Sequence, residues 1–133
     1  MKKRYVVLIV LLLMVLAVAI AANVFMKKTE AGLAQLSRMT LEDPDLASLA
    51  DGVYEGSHEV FPVKVVVSVT LADHRISDVR IVEHRQGKGR EAERLVPLIV
   101  EHQSVELDVI SGATYSSKVL LKAVELALTS ASK

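Results

Sequence analysis

Residues 63–83 read VKVVVSVTLADHRISDVRIVE and contain two segments of alternating character on either side of a polar pair. In residues 63–72, valine and leucine occur at every second position, a spacing typical of a half-buried strand. Asp73 and His74 predict a tight turn, and residues 76–83 predict the strand that returns. We therefore expect an antiparallel hairpin over this part of the chain.

The chain on either side of the hairpin predicts further short strands and two helices. Residues 53–57 and 105–110 are candidates for strands, whereas residues 91–103 and 115–131 have the apolar spacing of helices that face a core. We expect Pro97 either to kink its helix or to begin the second half as a first-turn residue. Strands followed by helices late in the chain indicate an α+β fold, a small antiparallel sheet with packed helices.

The N-terminal segment is long enough to cross a membrane as one helix. Residues 5–26 contain no charged side chain, and at about 1.5 Å per residue they reach roughly 33 Å, against a hydrocarbon core of ~30 Å. Three cations at positions 2–4 precede this segment, whereas Lys27 and Lys28 on its far side are followed by Glu30. This asymmetry favours a single-pass anchor in the cell membrane, with the domain on the extracytoplasmic side.

A cleavable signal peptide is the alternative, because Ala17-Val18-Ala19 and Ala19-Ile20-Ala21 both resemble small-x-small cleavage sites. The apolar segment is long for a signal peptide and lacks a helix breaker, so we expect a retained anchor. Either outcome exports the rest of the chain. A buried core helix is disfavoured because the remaining residues are too few to surround it.

Composition divides the chain into three parts. Residues 1–26 are expected to form the transmembrane signal anchor, residues 27–50 a juxtamembrane helix and spacer, and residues 51–133 the compact domain. The spacer has weak helical spacing that ends at Asp43-Pro44-Asp45, and we expect it to lie outside the main core.

Charge and residue usage exclude several classes of function. Residues 27–133 carry thirteen Lys and Arg against sixteen Asp and Glu, which is too acidic for a nucleic-acid-binding surface. With no cysteine, the chain cannot form disulfides, Cys-ligated metal sites or a thiol nucleophile. The four histidines lack the spacing of a metal site, and no Gly-x-Ser-x-Gly sequence marks a hydrolase. We therefore predict neither a metal site nor a catalytic residue.

One polar segment interrupts the regular pattern. Residues 108–117, DVISGATYSS, place Ser and Thr side chains around Gly112 and lead into the C-terminal helix. Such residues commonly cap helices that bind nothing, because Ser and Thr accept hydrogen bonds from the first amides. The same amides and the helix dipole also favour a bound phosphate, so an anion site is the functional alternative.

Residues 108–117 resemble the Asp-x-x-Ser/Thr-Gly-Ala-Thr signature of the FMN-binding domain family. The similarity continues outside the motif, because residues 51–56, DGVYEG, resemble the family's opening Asp-Gly-x-Tyr-x-Gly. Residues 63–84 are similar to its central hairpin ending in Glu-His, and residues 117–128 to its closing helix. The resemblance covers about residues 51–131 in order.

This resemblance implies a covalently held FMN cofactor. In the family, a flavin transferase esterifies a threonine with FMN, and Thr114 matches that acceptor, so the resemblance implies a phosphoester to Thr114. The other implied cofactor-binding residues are Asp108, Ser111, Gly112 and Ala113, which match the motif that the transferase recognises, and Tyr115, Ser116 and Ser117, whose amides would face the phosphate.

The implied function is electron transport by a membrane-anchored, extracytoplasmic flavoprotein that acts as a carrier and not as a stand-alone enzyme. The same domain occurs in exported subunits of sodium- or proton-coupled NADH:quinone and ferredoxin:NAD oxidoreductase complexes. The implied partners are the flavin transferase, the membrane and redox proteins that the sequence does not identify. The alternative is an anchored, non-catalytic binding or adaptor domain without flavin, in which residues 111–117 only cap a helix.

Residues 84–90, HRQGKGR, predict a polar loop after the hairpin. Gly87-Lys88-Gly89-Arg90 lacks the spacing and the Ser/Thr partner of a phosphate-binding P-loop, so a solvated loop is the better interpretation. We expect His84 to be a surface histidine of this loop, with a position near the flavin as the alternative.

Overall fold

Across residues 1–85 and 90–131, which the computed structural model describes, the chain forms one antiparallel sheet and three α-helices. The strands, in the order β1-β2-β3, are β1 (Gly52–Val60), β2 (Val63–Ala72) and β3 (Arg75–Arg85). The helices are α1 (Lys2–Arg38), α2 (Leu95–His102) and α3 (Thr114–Ala131), and short 3-10 helices cover Leu46–Ser48 and Arg90–Arg94. The α+β fold predicted from the sequence is confirmed.

The β2–β3 hairpin has the predicted turn. Asp73 and His74 adopt left-handed backbone conformations, with φ of 52° and 59°, as the two-residue turns favoured in hairpins require. On β2, Val65, Val67 and Val69 are fully buried while the residues between them are partly exposed. The alternation that predicted the strand therefore separates its core face from its outer face.

β3 continues two residues further than the sequence predicted. His84 pairs with Val65, and Arg85 pairs with Lys64. The pairing continues because the first residues of β2 have backbone groups that need hydrogen-bond partners. The prediction of a loop over residues 84–90 is therefore wrong for these two residues, and also for Arg90, which begins a 3-10 helix. Residues 86–89 of that predicted loop lie outside the described residues.

Pro97 lies in the first turn of α2, which begins at Leu95. A 3-10 helix, Arg90–Arg94, precedes α2, so the single helical segment predicted for residues 91–103 is divided at this point. Of the two alternatives for Pro97, the first-turn position is confirmed, where its missing amide hydrogen costs no helical hydrogen bond.

α3 covers one face of the sheet and buries its apolar stripe against β1 and β2. Gly56 of β1 permits a direct contact between the two backbones, because a Cβ atom there would lie 2.5 Å from both Ala123 O and Ala127 N. The helix axis is thus held close to β1.

Residues 105–110 do not form the predicted strand. Side chains accept from the backbone at both ends of this segment: Val105 N donates to Asp43 Oδ1 at 2.7 Å, and Ile110 N donates to Ser117 Oγ at 3.1 Å. The Val105 side chain is nevertheless buried in the core. The apolar residues of this segment therefore reflect burial and not strand pairing.

Residues 27–50 contribute to the core, contrary to the expectation that they lie outside it. Leu36 and Leu49 are buried and belong to the same apolar cluster as the sheet and α3. After α1 the chain folds back along α3, where Glu42 N donates to Glu125 Oε2 at 3.2 Å. These long-range contacts bring the two leucines into the core.

α1 is a single helix of 37 residues whose apolar part is exposed. Its most apolar window has a mean hydropathy of 3.2 and is not buried against the domain, so the helix is long and apolar enough to cross a membrane. This finding supports membrane anchoring of the chain. The helix continues without a break to Arg38, beyond the apolar segment.

Candidate functional site

Thr114 is the first residue of α3 and follows a tight turn. Gly112 has a φ of 82°, a left-handed conformation that glycine adopts without strain. Ala113 N donates to Ile110 O at 2.9 Å and closes the turn. The glycine and the small alanine of the motif are therefore explained by the backbone path into the helix.

The first backbone hydrogen bond of α3 leaves three amides ahead of it. Ser117 N donates to Ala113 O at 2.8 Å, so the expectation that the Ser117 amide faces a phosphate is wrong. The amides of Thr114, Tyr115 and Ser116 precede this bond and have no carbonyl four residues earlier in the helix, as is usual at a helix N terminus. They are the donors that this terminus can offer to an anion.

The hydroxyl groups of the motif differ sharply in exposure. Thr114 and Ser111 are exposed, whereas Ser116 and Ser117 are 1% and 0% exposed. The Ser117 hydroxyl accepts the hydrogen bond from Ile110 N, so it fixes the preceding loop against α3. The two serines are thus part of the packed interior, and the two earlier hydroxyl groups are accessible.

Tyr115 attaches the start of α3 to the turn between β1 and β2. Its hydroxyl donates to the carbonyl oxygen of Phe61, and burial raises the pKa of the phenol. Gly32 of α1 lies against this contact, because any side chain there would overlap the Tyr115 hydroxyl, and its Cβ would lie 2.9 Å from Phe61 O. The N terminus of α3, the β1–β2 turn and α1 therefore meet at one end of the sheet, which we call the anchor end.

His84 lies on β3 at the anchor end and is not the surface histidine that the sequence suggested. Its side chain is 4% exposed, and its Nδ1 lies 3.0 Å from Glu93 Oε1. Its Nε2 is buried and has no hydrogen-bond partner within the part of the chain that the structure describes. The sequence signal for this residue was the Glu-His ending of the hairpin.

Glu93 orients the His84 ring by accepting a hydrogen bond from its Nδ1. An ionised carboxylate can only accept, so Nδ1 donates to it and, in the neutral imidazole, Nε2 remains an acceptor. A buried acceptor without a partner is costly, and a donor on a ligand would remove that cost. The 3-10 helix that carries Glu93 contacts α3, so this acceptor and the helix-start donors belong to neighbouring elements.

The remaining predicted site residues lie on the loop before α3. Asp108 is exposed, six positions before Thr114, and the methyl group of Ala113 is buried. The residues of the motif therefore form two groups. The residues exposed at the loop and the helix start are Asp108, Ser111, Gly112 and Thr114. The residues that are fully or partly buried are Ala113, Tyr115, Ser116 and Ser117.

A family model described as the FMN-binding domain matches residues 61–129, just over half of the chain. The chain belongs to the FMN-binding domain family. The matched part of this FMN-binding domain begins at the β1–β2 turn, contains Thr114 and ends within α3. The match supports FMN as the cofactor. The His84 Nε2, which has no partner in the described residues, and the first amides of α3 are groups that fit a flavin and its phosphate.

The FMN-binding domain is also similar to an uncharacterized protein of Treponema pallidum (strain Nichols). The two are 35% identical over 82 residues, which cover 59% of this chain and 23% of the relative. The chain therefore spans about a quarter of the length of that relative.

Proposed function

We propose that this anchored FMN-binding domain holds its cofactor covalently, through a phosphoester to Thr114. The observation that carries the proposal is the difference in exposure within the motif. Thr114 is exposed at the helix start, whereas Ser116 and Ser117 are buried. A modifying enzyme can therefore reach Thr114 in the folded domain, while the two serines would require α3 to separate from the sheet.

The attachment step joins Oγ1 of Thr114 to the phosphorus of FMN. A bond forms between these two atoms, the hydroxyl proton passes to a base, and the bond from phosphorus to its leaving group breaks. The flavin donor must therefore carry an activated phosphate, such as the pyrophosphate of a dinucleotide. A flavin transferase is the partner that we propose for this step, with Asp108 and the Ser111–Ala113 turn as its recognition site.

The start of α3 suits the charge that such a linkage introduces. A phosphodiester on Thr114 carries one negative charge, and the amides of Tyr115 and Ser116 together with the helix dipole favour an anion at this position. The Tyr115 hydroxyl is already bonded to Phe61 O, so it positions the helix and does not bind the phosphate. The backbone amides of Tyr115 and Ser116 are therefore already oriented by the helix before a ligand binds.

His84 is the side chain that we expect to contact the flavin. Its buried Nε2 has no hydrogen-bond partner among residues 1–85 and 90–131, and the ring imide and ribityl hydroxyls of a flavin are donors that a neutral imidazole could accept from. Glu93 holds the imidazole in a fixed orientation through Nδ1. Bound flavin supplies reversible electron transfer, while the chain supplies attachment, orientation and hydrogen bonds.

We further propose that the domain carries electrons on the extracytoplasmic side of the membrane. The cations at positions 2–4 support this orientation, and a covalent link prevents loss of a cofactor that the cytoplasmic pool could not replace. Intact mass of the membrane-extracted chain tests the anchor. A mature chain that begins near Ala22 or Asn23 would overturn a retained anchor and leave export intact.

The linkage is tested with the full chain, coexpressed with a flavin transferase and extracted from membranes. Flavin fluorescence should remain on the protein band after denaturing electrophoresis. Trypsin should release residues 95–118, and fragment spectra should assign the added FMN-phosphoryl mass to Thr114 and not to the other hydroxyl residues of that peptide. The same mass on Ser111 would contradict the assigned site, and flavin lost on denaturation would contradict the covalent link.

An anchored adaptor domain without flavin is the second candidate. The hydrogen bond from Ile110 N to Ser117 Oγ favours it, because the motif then has a structural role that needs no ligand. The absence of flavin from the protein under every expression condition would support this alternative.

A further inference from the structure

The β1–β2 turn contacts α1 where the apolar segment of that helix ends. The rings of Phe25 and Phe61 meet edge to face, with centroids 5.5 Å apart. Lys28 Nζ lies 5.5 Å from the centroid of the same Phe61 ring, within the range of a cation–π contact. Phe61 is therefore held beside the boundary between the apolar segment and the first cations that follow it.

The position of α1 relative to the domain is fixed by further contacts beyond this boundary. Gly32 packs against the Phe61 carbonyl and the Tyr115 hydroxyl. Lys118 Nζ donates to Leu36 O at 3.4 Å, near the end of α1. Because α1 runs unbroken through all these contacts, the domain is attached to the membrane segment by a rigid helix and not by a flexible linker.

The level of Phe61 relative to the bilayer follows from the length of the apolar segment. Residues 5–26 reach roughly 33 Å along the helix, close to the ~30 Å of the hydrocarbon core, so Phe25 lies at its edge. Phe61 lies beside Phe25 and is 37% exposed. An exposed apolar ring beside a lysine suits the boundary of the bilayer, because the ring can enter the acyl boundary while the lysine reaches the headgroups.

We propose that the β1–β2 turn, Phe61 and Pro62, rests in the interfacial region of the lipid bilayer, so that the domain has a fixed face toward the membrane. Its partner is the lipid headgroup layer of the leaflet on which the domain lies. The Tyr115 hydroxyl bonds to Phe61 O, so the start of α3 lies next to this membrane contact. The inference needs the anchor but not the flavin.

The chain contains no tryptophan, so a single introduced tryptophan reports on its own surroundings. We would prepare Phe61→Trp in the full chain and reconstitute it in phosphatidylcholine vesicles, with and without bromine on the acyl chains. Val53→Trp is the matched control, because Val53 is 66% exposed at the opposite end of β1, about 26 Å along the strand. Phe25→Trp calibrates the signal at the edge of the hydrocarbon.

Brominated lipid should reduce the fluorescence of Phe61→Trp by at least half, as for Phe25→Trp, and leave Val53→Trp unchanged. Acrylamide in the aqueous phase should give the reverse order. Equal responses of Phe61→Trp and Val53→Trp would overturn the proposal. Shielding of Phe61→Trp from both quenchers would also overturn it, because a protein surface would then cover the turn.

A second variant keeps the test valid if Phe61→Trp fails to fold. Glu59 is exposed on β1, two positions before Phe61, and its side chain is outside the core. Glu59→Trp should be quenched by brominated lipid less than Phe25→Trp and more than Val53→Trp. Quenching no greater than that of Val53→Trp would contradict the proposal.

Discussion

The two ends of the sheet are stabilised in different ways. At the end formed by the β2–β3 turn, which we call the far end, His74 N donates to Asp51 Oδ1 at 3.3 Å, and His74 Nδ1 lies 2.9 Å from Leu49 O. The Gln103 side chain bonds both backbone groups of Ile76, at 2.7 Å to its nitrogen and 2.8 Å to its oxygen. The anchor end instead combines packing of three elements with polar groups that have no partner in the described ranges.

This difference shows that the hydrogen bonds at the far end stabilise the fold, whereas the anchor end keeps polar groups that a ligand could bind. At the far end, side chains form hydrogen bonds with nearby backbone groups, so those groups are paired, as most buried polar groups in proteins are. At the anchor end, His84 Nε2 is buried and has no partner in the part of the chain that the structure describes, and the first amides of α3 have no carbonyl partner within the helix. Within the described residues, the buried side-chain nitrogens without a partner belong to His58 and His84, which both pair with Val65 near the anchor end.

The largest expected effect is the loss of covalent flavin from Thr114→Ala. Removing Oγ1 removes the atom that forms the phosphoester, so in-gel flavin fluorescence should disappear completely. The cost in the free energy of unfolding should be about 1 kcal/mol or less, because Thr114 is exposed at a helix terminus. Thr114→Ser, which keeps a hydroxyl group, should retain part of the labelling.

Matched variants separate the acceptor from its surroundings. Ser116→Ala keeps α3 and its amides, and Asp51→Asn alters only the far end, so both should be labelled like the wild type. Loss of label in Asp51→Asn would show that labelling reports overall stability and not the local site. Full labelling of Thr114→Ala would refute Thr114 as the acceptor.

The second effect is a loss of stability at the far end, in Gln103→Asn. Asparagine tolerates the left-handed conformation of this residue, where φ is 54°, but its side chain is one carbon shorter and does not reach Ile76. Losing these hydrogen bonds should lower the free energy of unfolding by about 1–3 kcal/mol. Calorimetry of the full chain in detergent should show a lower Tm, with flavin labelling unchanged.

Glu101→Gln is the control for this variant, because Glu101 is exposed on the preceding helix. Its Tm should equal that of the wild type. A Gln103→Asn variant that keeps the wild-type Tm but loses flavin would reverse the assignment of roles to the two ends.

The sequence predicted those strands, turns and helices whose residue pattern lies within one continuous segment. The alternating valines of β2, the polar turn at Asp73 and the apolar stripe of α3 each repeat with the period of their structure, and the structure confirms all three. The Ser111–Ser117 motif was recognisable for the same reason. Its backbone geometry follows from Gly112 and from the start of a helix.

Contacts between distant segments were not predictable in this way. Asp43 binds the backbone of Val105, which keeps that residue out of a strand, and no sequence pattern connects two positions so far apart. The burial of Leu36 likewise depends on α3, and the burial of His84 on the pairing of β3 with β2 and on Glu93. These three errors concerned tertiary contacts, whereas the errors on the Ser117 amide and on the division of residues 91–103 concerned local helix geometry.

A smaller effect is expected from His84→Leu. Leucine removes a buried nitrogen that has no partner in the described residues, but it also removes the hydrogen bond between Nδ1 and Glu93, so the two changes oppose each other and the flavin-free protein should keep about its wild-type stability. The flavin-loaded protein should lose the hydrogen bond that we propose, which is worth about 1 kcal/mol. The increase in Tm on flavin loading, with the Thr114→Ala background as the unloaded form, should be smaller for His84→Leu than for the wild type. An equal increase in both proteins would show that His84 does not contact the flavin.

The smallest expected effect is on the pH dependence of stability. It depends on the groups around His58, which lies on β1 near the anchor end. Burial lowers the pKa of this imidazole, Lys122 lowers it further, and Glu125 acts in the opposite direction. Arg38 of α1 lines the same cleft, which also contains Gln35, so the charges around His58 come from both packed helices. The buried Nε2 has no partner in the described residues, which is consistent with a neutral ring.

Because the pKa of His58 is lower in the folded state than its ordinary 6.5, the unfolded chain takes up a proton first as the pH falls. The stability that depends on neutral His58 is complete above about pH 6.5 and is lost as the pH falls toward the lowered pKa. At the far end, the amides of Asp73 and His74 lower the pKa of Asp51, so its contribution is lost only below about pH 3.8.

The Tm of His58→Gln should therefore decrease less than that of the wild type between pH 7.5 and 5.5, whereas Asp51→Asn should follow the wild type over this range. If His58→Gln and the wild type have the same pH dependence there, the buried imidazole at the anchor end does not titrate with folding.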